Sequence, residues 1–452
     1  MLTNTLTTCR DKVAQLLSKP FFHDYRTILV MWVIMCLILA ITKSYNSDGN
    51  YRIFIGVWNH TLAELPLFDH YPEEYDDMNH YGPFFALVIA PFAWMTRYVG
   101  MFFWMLFLCM FLYVSVRKSD FTKYQQLFVF WFCTHELLNA LFLQQYNVAI
   151  TAGVLLTFTM IERRQDFWAA FFIMLGTMIK LYGIVGLAFF FFSKNKTKLL
   201  LSCLFWGIVM FVAPMAVASP EYIISQYYEW YIALVEKNAD NINVLNGNMA
   251  DLSTNISLLG MVRRSTQILT YSDLWLIIPG IIAFCIPYLR ISQYKNVAFR
   301  QTLLASVLMF TVLFSTGSEN STYIIAFAGV ALWYACAPWQ RSRWDIALMV
   351  VVFIISSLSP GDLFPKVIYR EIIQPYALKA LPVTIVWFKL CYEMYTRDYK
   401  PITVGYTPPL SRIRYTGRFF VSWKIRPRYS PIMPNESSCT PPKNKTTVIS
   451  VG

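Results

Sequence analysis

The sequence predicts an all-α protein that crosses a membrane many times. Only 14% of its 452 residues are charged, while 56% are hydrophobic. A soluble domain of ordinary composition is about 25% charged. The hydrophobic residues are concentrated in long runs with few charges, and basic clusters separate several of these runs. Lipid is therefore the expected solvent for most of the chain.

The hydrophobic runs predict about 10–13 transmembrane helices. A span needs about 20 largely apolar residues, and only helices satisfy every backbone polar group within lipid without a closed barrel. Most runs reach this length once their polar and aromatic flanks are included. The runs are Thr27–Ile41, Pro83–Met95, Val99–Val116, Leu127–Phe142, Val148–Met160, Phe167–Phe192, Leu199–Val217, Leu274–Leu289, Leu303–Phe314, Tyr323–Trp333, Ile346–Ile355 and Leu378–Leu390.

Basic clusters indicate which loops face the cytoplasm, because Lys and Arg are enriched on that side of membranes. On this ground Ser193–Lys198, Tyr288–Lys295 and Gln340–Arg343 are expected in the cytoplasm. The first 26 residues are basic and lack a short apolar core, which predicts an uncleaved anchor. Contact with anionic headgroups explains the net charge of +12, so nucleic acid is not an expected partner.

The chain is expected to divide into a transmembrane domain, residues 1–397, and a basic, proline-rich cytoplasmic tail, residues 398–452. Two polar segments are expected outside the cytoplasm. We call residues 44–82 the first loop and residues 219–270 the large loop. Within the large loop, Glu221–Lys237 is rich in aromatic residues and predicts an amphipathic helix along the membrane interface.

The charge bias also predicts irregular segments in the first half of the bundle. We expect Pro83–Met95 to dip into the membrane without crossing it. We expect Phe167–Phe192 to break near Lys180 into two legs. Without these two features, the charged segments Val116–Asp120 and Glu162–Gln165 would face outward. Broken helices are tolerated where they are buried in protein or line a watery cavity.

Carboxylates of the first loop are candidate general bases. The loop holds seven acidic residues and three histidines where a hydrophobic run meets water. Asp48 precedes an aromatic run, and a carboxylate that loses solvation gains basicity. The alternative is an ordinary solvated loop residue. A second group, which could relay protons or bind a cation, comprises Glu73, Glu74, Asp76, Asp77, Asn79, His80 and Tyr81.

Lys180 is a candidate ligand for phosphate. It has uncharged, largely apolar neighbours for more than ten positions on either side. A lysine inside a membrane is costly, so it should face a partner or a water-filled cavity. Phosphate is a natural ligand for such a point charge. The structural alternative is an ion pair with Glu136 or Glu319.

Other polar side chains interrupt the hydrophobic pattern and are candidate ligands for sugar or phosphate. Gln145 and Asn147 could bond sugar hydroxyls, or could only cap and join helices. Glu319 lies in a similar polar turn. Arg263 and Arg264 could bind phosphate, or could only mark a headgroup boundary.

The motifs of several enzyme classes are absent from the sequence. It has no Walker-type loop, Rossmann glycine pattern, HExxH or GxSxG motif. It also lacks the DxD motif with which soluble nucleotide-sugar transferases hold a metal, and no cysteine pattern indicates zinc. A lipid phosphate is therefore a more plausible sugar carrier than a nucleotide.

Four segments carry a recognisable series of motifs. HYGPFFALVIAPFAWM (His80–Met95) has the pattern YxPxxxxxxxPF, and LNALFLQQYN (Leu138–Asn147) has the pattern N-x-L-x-x-x-Q-x-N. FFIMLGTMIKLYG (Phe171–Gly183) is a helix with glycine and then lysine, and NISLLGMVRR (Asn255–Arg264) contains N-x-S-x-x-G. This series runs through most of residues 40–325 and resembles glycosyltransferase family 87.

The resemblance implies an inverting membrane glycosyltransferase of the GT-C fold. Such enzymes take a sugar, usually mannose or a pentose, from a polyprenyl phosphate on the extracytoplasmic face. An aspartate of the first loop is the implied base. Many members have an acidic residue directly before the aromatic of a D-F-x-x-Y-like motif, whereas this chain has Asn50 before Tyr51. The base role therefore shifts to Asp48, Asp76 or Asp77.

In this hypothesis Lys180 stabilises the leaving phosphate, and Arg263 and Arg264 assist. Gln145, Asn147 and Asn255 orient the donor. The other expected substrate contacts are Asn50, Tyr51, Asn79, His80, Tyr81 and Glu319.

The expected partners are a polyprenyl-phosphate sugar donor, a glycan or glycolipid acceptor of the cell envelope, and the lipid bilayer. The expected location is a bacterial inner membrane, crossed several times, with the site facing outside. No cofactor is required, although the acidic first loop could hold a divalent cation. Two alternatives are a polymerase or ligase of polyprenyl-linked glycans and a lipid or sugar transporter.

Overall fold

The structure is a computed structural model that describes residues 19–43, 48–242, 252–268 and 271–400. Most of the predicted tail, residues 401–452, lies outside the described residues, as do short parts of both predicted loops. Every regular element in the described ranges is helical, and none of them is a strand. The prediction of an all-α protein is thus confirmed.

Within the described part of the chain, fifteen α-helices of at least nine residues, α1–α15, carry the architecture. Their bounds are α1 Tyr25–Thr42, α2 Gly49–Ala63, α3 Phe85–Ala93, α4 Arg97–Lys118, α5 Lys123–Phe142, α6 Asn147–Glu162, α7 Asp166–Lys180, α8 Lys196–Val212, α9 Pro220–Ile242, α10 Leu258–Thr266, α11 Leu274–Cys285, α12 Val297–Leu313, α13 Tyr323–Ala335, α14 Arg343–Val351 and α15 Ala380–Thr396. Shorter 3₁₀, π and single-turn segments connect them, of which the longest is the 3₁₀ segment Tyr182–Phe192.

Three helices of the described chain are long and apolar enough to cross a membrane: Tyr25–Thr42, Arg97–Lys118 and Lys196–Ala216. The first and third bury only 22% of their apolar window inside the protein, so most of their apolar surface faces outward. Helices that are apolar on every face need either a protein interior or lipid around them. These helices make the chain a membrane protein, while the predicted count of about 10–13 spans stays a prediction.

The centre of the bundle is formed by α6, α12 and α13, whose residues are almost all buried. Small residues allow close helix contact there. Gly329 of α13 lies so near α12 that an added Cβ would be 2.7 Å from the Ala305 carbonyl oxygen. Close packing through small residues is typical of helix pairs in membranes. This rigid centre holds one end of α6 at the candidate site described below.

Both segments that were expected to be irregular depart from a single long helix, although the dip of Pro83–Met95 into the membrane stays a prediction. Helix α3 has nine residues and rises only about 13 Å, too short to cross a membrane alone. Helix α7 ends at Lys180 because Leu181 takes a left-handed conformation, with φ of 53°. The chain then turns back as the 3₁₀ segment Tyr182–Phe192. The predicted break near Lys180 is therefore confirmed.

The first loop is more ordered than its polar composition indicates. It contains α2, whose aromatic side chains Tyr51, Phe54 and Trp58 are buried against the bundle. The predicted amphipathic helix of the large loop is α9, and it lies over the first loop. Gln226 of α9 accepts a hydrogen bond from the Leu67 amide at 2.8 Å. Helix α9 therefore fixes the first loop from outside.

Candidate functional site

The turn between α5 and α6 forms the middle of the candidate site. Gln144 has a left-handed φ of 51°, so the helical path of α5 does not continue through this position. Trp104 donates a hydrogen bond to the Gln144 carbonyl at 2.9 Å, and Asn50 donates to the Leu143 carbonyl at 2.9 Å. The start of the first loop is thereby joined to one side of this turn.

Lys180 reaches the other side of the turn. Its ammonium donates to Asn147 Oδ1 at 2.9 Å and to Gln145 Oε1 at 3.4 Å. Asn147 is fully buried, and its amide nitrogen donates to Ser321 Oγ at 3.0 Å. The three predicted residues Lys180, Gln145 and Asn147 are thus in direct contact. Both partners of the ammonium are neutral amide oxygens.

Aromatic rings and charged groups surround the ammonium. Lys180 Nζ lies 5.4 Å from the centre of the Tyr81 ring and 5.7 Å from that of Tyr182. Tyr81 Oη donates to Gln145 Oε1 at 2.6 Å. Lys180 also interacts electrostatically with Glu319 and with Lys237. We call this group, centred on Lys180, the lysine side of the site.

His80 joins the lysine side through its electrostatic interactions with Lys180, Lys237 and Asp77. Burial and the two lysines lower the pKa of His80 to about 4, so its imidazole is neutral at pH 7. Its carbonyl accepts a hydrogen bond from Trp230 of α9 at 3.0 Å. The covering helix thus holds the His80 backbone.

The segment around Gly82 places Tyr81 against the end of α7. The Gly82 amide donates to the Ile179 carbonyl at 3.0 Å. A Cβ at this position would be 2.3 Å from the Met178 carbonyl oxygen, so only glycine allows this approach. Asn79 accepts from the Tyr81 amide at 2.9 Å and fixes the turn. Burial raises the pKa of the Tyr81 phenol well above its usual range, so Tyr81 remains a hydrogen-bond donor.

Asp48 lies on the opposite side of the turn from Lys180, at the start of α2. It is fully buried, and both of its carboxylate oxygens accept hydrogen bonds from Arg97. Arg52 Nε lies 3.5 Å from Asp48 Oδ1. The alternative of a solvated loop residue therefore does not hold for Asp48. Tyr51, also buried here, donates to the Phe92 carbonyl at 3.1 Å.

Asp76 and Asp77 are exposed and line a cavity of about 190 Å³ together with Asn50 and Gln144. Asp76 Oδ2 also lies 3.9 Å from Nη2 of Arg52, the same arginine that approaches Asp48. We call the surroundings of Asp48, Asp76 and Asp77 the acid side of the site. The acid side and the lysine side meet at the turn between α5 and α6.

The N-x-S-x-x-G segment forms a helix start. Ser257 caps α10 by accepting from the Gly260 amide at 3.1 Å, and Ser257 Oγ donates to Asn255 Oδ1 at 2.7 Å. A Cβ on Gly260 would overlap the Asn255 carbonyl oxygen, 1.8 Å away. The Ile256 amide donates to the Ser318 carbonyl at 2.7 Å, which ties this segment to the turn that carries Glu319.

Arg263 and Arg264 have partners within the protein. Arg263 pairs with Asp273 at 2.6 Å. Arg264 donates to the carbonyls of Leu252, Thr254 and Gln374, and burial lowers its pKa to about 10. Both guanidiniums join distant segments of chain in this structure. Their predicted contact with phosphate stays a prediction.

Sequence reasoning missed Arg97, Tyr182, Lys237 and Lys379. In sequence, Arg97 follows the predicted run Pro83–Met95, and Tyr182 follows the candidate Lys180. Their proximity to the site becomes visible only in the fold. Glu136, an expected partner for Lys180, pairs instead with Lys379 at 3.5 Å. Lys379 lies at the edge of the hydrophobic run Leu378–Leu390. A charged residue at that position was the feature of the sequence that could have identified it as a candidate.

Among the described residues, no group of three or more His, Cys, Asp or Glu side chains comes together as a metal site.

The family comparison agrees with this geometry. A model of glycosyltransferase family 87 matches residues 79–316, which is more than half of the chain and includes most of the lysine side. The chain is a membrane-associated glycosyltransferase by class, and it belongs to glycosyltransferase family 87. A comparison with curated proteins found no match.

Proposed function

We propose that this protein transfers a sugar, mannose or a pentose, from a polyprenyl phosphate to a glycan or glycolipid of the cell envelope. In this proposal it crosses a bacterial inner membrane several times as a GT-C-type bundle, residues 1–397. Its site faces the extracytoplasmic side. Family membership supports a glycosyltransferase. The chain's own residues support the choice of donor.

The environment of Lys180 carries the proposal. Its ammonium stands at the end of a broken apolar helix and contacts two amide oxygens, while no carboxylate of the described residues pairs with it directly. A cation at such a position is suited to an external anion. The phosphate of a lipid carrier is an anion that arrives from the membrane, next to which the end of α7 would lie.

Amide and phenol groups beside Lys180 are suited to orienting a sugar. Gln145, Asn147 and Tyr81 present polar atoms within one hydrogen-bonded cluster. Amide side chains both donate and accept, so they match hydroxyl groups of either orientation. We assign these three residues to the donor sugar. Arg263 and Arg264 are not needed in this scheme.

An aspartate of the acid side is the proposed base. The carboxylate takes the proton of an acceptor hydroxyl, and the oxygen attacks the anomeric carbon from the face opposite the phosphate. The bond between the sugar and the phosphate oxygen breaks, and polyprenyl phosphate leaves with its charge stabilised by Lys180. A single displacement of this kind inverts the anomeric carbon. Cationic side chains suffice for a monophosphate leaving group, so the scheme has no metal.

Asp48 and Asp77 differ in what each requires to act as the base. Asp77 is exposed, lines the cavity and interacts with His80, so an acceptor reaches it directly. Asp48 is enclosed by Arg97 and must first be released. A donor phosphate that binds Arg97 would release it. The resemblance leaves Asp48, Asp76 and Asp77 open as the base, and accessibility favours Asp77 over Asp48.

A transfer assay tests the donor. Purified protein in lipid nanodiscs is mixed with a membrane extract and with polyprenyl phosphate that carries labelled mannose or arabinose. We expect label in glycan or glycolipid and an equal amount of released polyprenyl phosphate. A nucleotide sugar in place of the lipid donor serves as the control. Transfer from the nucleotide sugar alone, or no transfer from either lipid donor, would contradict the proposal.

The variants Asp48→Asn and Asp77→Asn test the base. Loss of a general base lowers turnover by about 10²–10⁴-fold, so one variant should show this loss with the donor still bound. Glu73→Gln, an exposed change in the same loop, is the matched control and should retain wild-type turnover. If both aspartate variants retain it as well, no first-loop aspartate of this pair is the base.

A further inference from the structure

A second polar cavity lies at the other end of the helices that carry Lys180. Helix α6 runs from Asn147 at the candidate site to Glu162, a rise of about 22 Å. Helix α7 starts beside Glu162 and ends at Lys180, and the 3₁₀ segment then returns to Phe192. Glu162 and Phe192 both line a cavity of about 600 Å³. This cavity is therefore distinct from the candidate active site.

Cationic side chains dominate the cavity. They are Arg164, Lys194, Lys196, Lys295 and Arg300, whereas Glu162 is the only carboxylate among the described residues that line it. Arg300 neutralises that carboxylate, with its two nitrogens 2.6 and 2.7 Å from the two Glu162 oxygens. The remaining four cations give the cavity a net positive charge.

Three of the remaining cations lack an acidic partner. Among the described residues, no carboxylate pairs with Arg164, Lys194 or Lys295, and all three side chains are exposed. The nearby Asp166 is buried and accepts a hydrogen bond from Ser193 at 2.7 Å. Residues 401–452, which lie outside the described part of the chain, include eight Lys and Arg residues and one acidic residue, so their composition is basic.

The backbone of three turns positions these cationic residues around the cavity. Arg164 occupies a left-handed position, with φ of 59°, in the tight turn between α6 and α7. Lys194 lies in the turn before α8, and Lys196 is the first residue of that helix, which Asn195 caps by accepting from the Lys198 amide. Lys295 ends the short 3₁₀ turn before α12. Cations from three separate turns thus face a single cavity.

One wall of the cavity is apolar. Phe192 and Tyr294 pack edge to face with ring centres 5.0 Å apart, and Phe191 is 55% exposed. A ligand in this cavity would place an anionic group on the lysines and an apolar part on the rings. Lysine and arginine are the usual partners of phosphate in proteins, and each basic residue near a membrane attracts anionic lipid.

We propose that this cavity binds a phosphate-bearing anion, and that the apolar wall makes a phospholipid its ligand in the membrane. The shared chemistry is a phosphate group held by Lys194, Lys295 and Arg164. A free phosphate or soluble phosphate ester is the other source of the same group. The proposal goes beyond the transfer of sugar and does not depend on it.

Native mass spectrometry of the full chain tests the site. Protein is taken from nanodiscs of phosphatidylglycerol or of phosphatidylcholine, and the retained lipid is counted. In a parallel arm, inorganic phosphate is titrated while the melting temperature is followed. The test variant is Lys194→Gln with Lys295→Gln. The matched control is Lys118→Gln with Lys123→Gln, two exposed lysines outside the cavity.

We expect the test variant to bind phosphatidylglycerol about tenfold more weakly, because two contacts with the anionic group are lost. The control variant should bind like the wild type. If inorganic phosphate stabilises the wild type but not the test variant, the site stands and its ligand is free phosphate. An equal loss in both variants, or no loss in the test variant, overturns the proposal.

Arg164→Gln is a second, independent variant. Its side chain is exposed and lines the cavity, so the fold should persist. Like the double variant, it should weaken the binding of phosphatidylglycerol. Equal melting temperatures without ligand establish that the variants are folded. Wild-type lipid binding by both folded test variants would leave no basis for the site.

Discussion

Lys180 and Lys379 are both lysines at the ends of apolar helices, but their surroundings differ. Lys379 is 2% exposed and has a carboxylate partner, with its ammonium 3.5 Å from Glu136. It also donates to the Asn320 carbonyl at 3.2 Å. Lys180 contacts amide oxygens only and is less deeply enclosed. Lys379 is paired with a carboxylate, whereas Lys180 has no directly paired carboxylate among the described residues.

The difference separates a structural ion pair from a candidate binding group. A buried charge is costly unless a counter-charge and hydrogen bonds accompany it. Glu136 supplies the counter-charge for Lys379. For Lys180, Glu319 interacts electrostatically, but no carboxylate of the described residues pairs with the ammonium directly, which suits it to an external anion. The short turn Asn320–Thr322 connects the two lysines, since Asn147 contacts Ser321 and Lys379 contacts Asn320.

The largest expected effect on stability comes from Lys379→Met. Removal of one partner from a buried ion pair leaves an uncompensated charge and costs about 3–5 kcal/mol. We expect a clear fall in the free energy of unfolding, measured by denaturation in detergent. The double variant Lys379→Met with Glu136→Gln should recover part of this loss. Equal stability of the wild type and the single variant would show that this pair is not a structural one.

Lys180→Met should have the opposite profile. We expect a loss of about 10²–10³-fold in turnover, because removal of a preorganised electrostatic group costs this much in other enzymes. The melting temperature should stay near that of the wild type. Lys118→Gln, an exposed lysine far from the site in sequence, is the control. A large stability loss without a specific loss of turnover would place Lys180 in the same class as Lys379.

Gln145→Ala tests whether Gln145, on the lysine side, binds the lipid donor. Gln145 accepts hydrogen bonds from Tyr81 and from Lys180. Its removal should cost about 1 kcal/mol, seen as a severalfold rise in KM for the lipid donor with a smaller change in kcat. Gln125→Ala, a surface amide that caps α5, should leave KM unchanged. An unchanged KM in Gln145→Ala would remove this residue from donor binding.

The smallest expected effect concerns His80 and pH. Its pKa is about 4 in the fold, below the ordinary value of 6.5. The unfolded chain therefore binds more protons between these values, and stability falls as pH is lowered through this window. We expect the loss of stability on acidification to pH 5 to be smaller in His80→Gln than in the wild type. The exposed His70→Gln should keep the wild-type slope, and an unchanged slope in both variants would contradict the shift.

Several features of the site were predictable because they interrupt a strong pattern. A lysine within an apolar run must have a polar environment, and the charge bias of the flanking loops predicted the helix break near Lys180. The motif N-x-S-x-x-G was also visible, but its physical role was not. The structure shows Ser257 as a helix cap and Gly260 as the position that admits the Asn255 carbonyl.

The choice of partners was not predictable. Glu136 and Glu319 were both available to Lys180, and a linear sequence does not state which carboxylate shares a cavity with which lysine. The pairing of Asp48 with Arg97 has the same origin, since 49 positions separate the two residues. The burial of Asp48 follows from the packing of α2 against the bundle. The polar composition of the loop alone indicated a solvent-exposed residue.

The sequence by itself determined the helical class, the preference for lipid and the family. All three follow from composition, hydrophobic periodicity and short motifs, which are local properties of the chain. Only the tertiary structure decided which lysine is neutralised, which aspartate is accessible and where unpaired cations gather. These outcomes depend on contacts between residues distant in sequence, because charges in a low-dielectric interior are governed by their nearest neighbours in space.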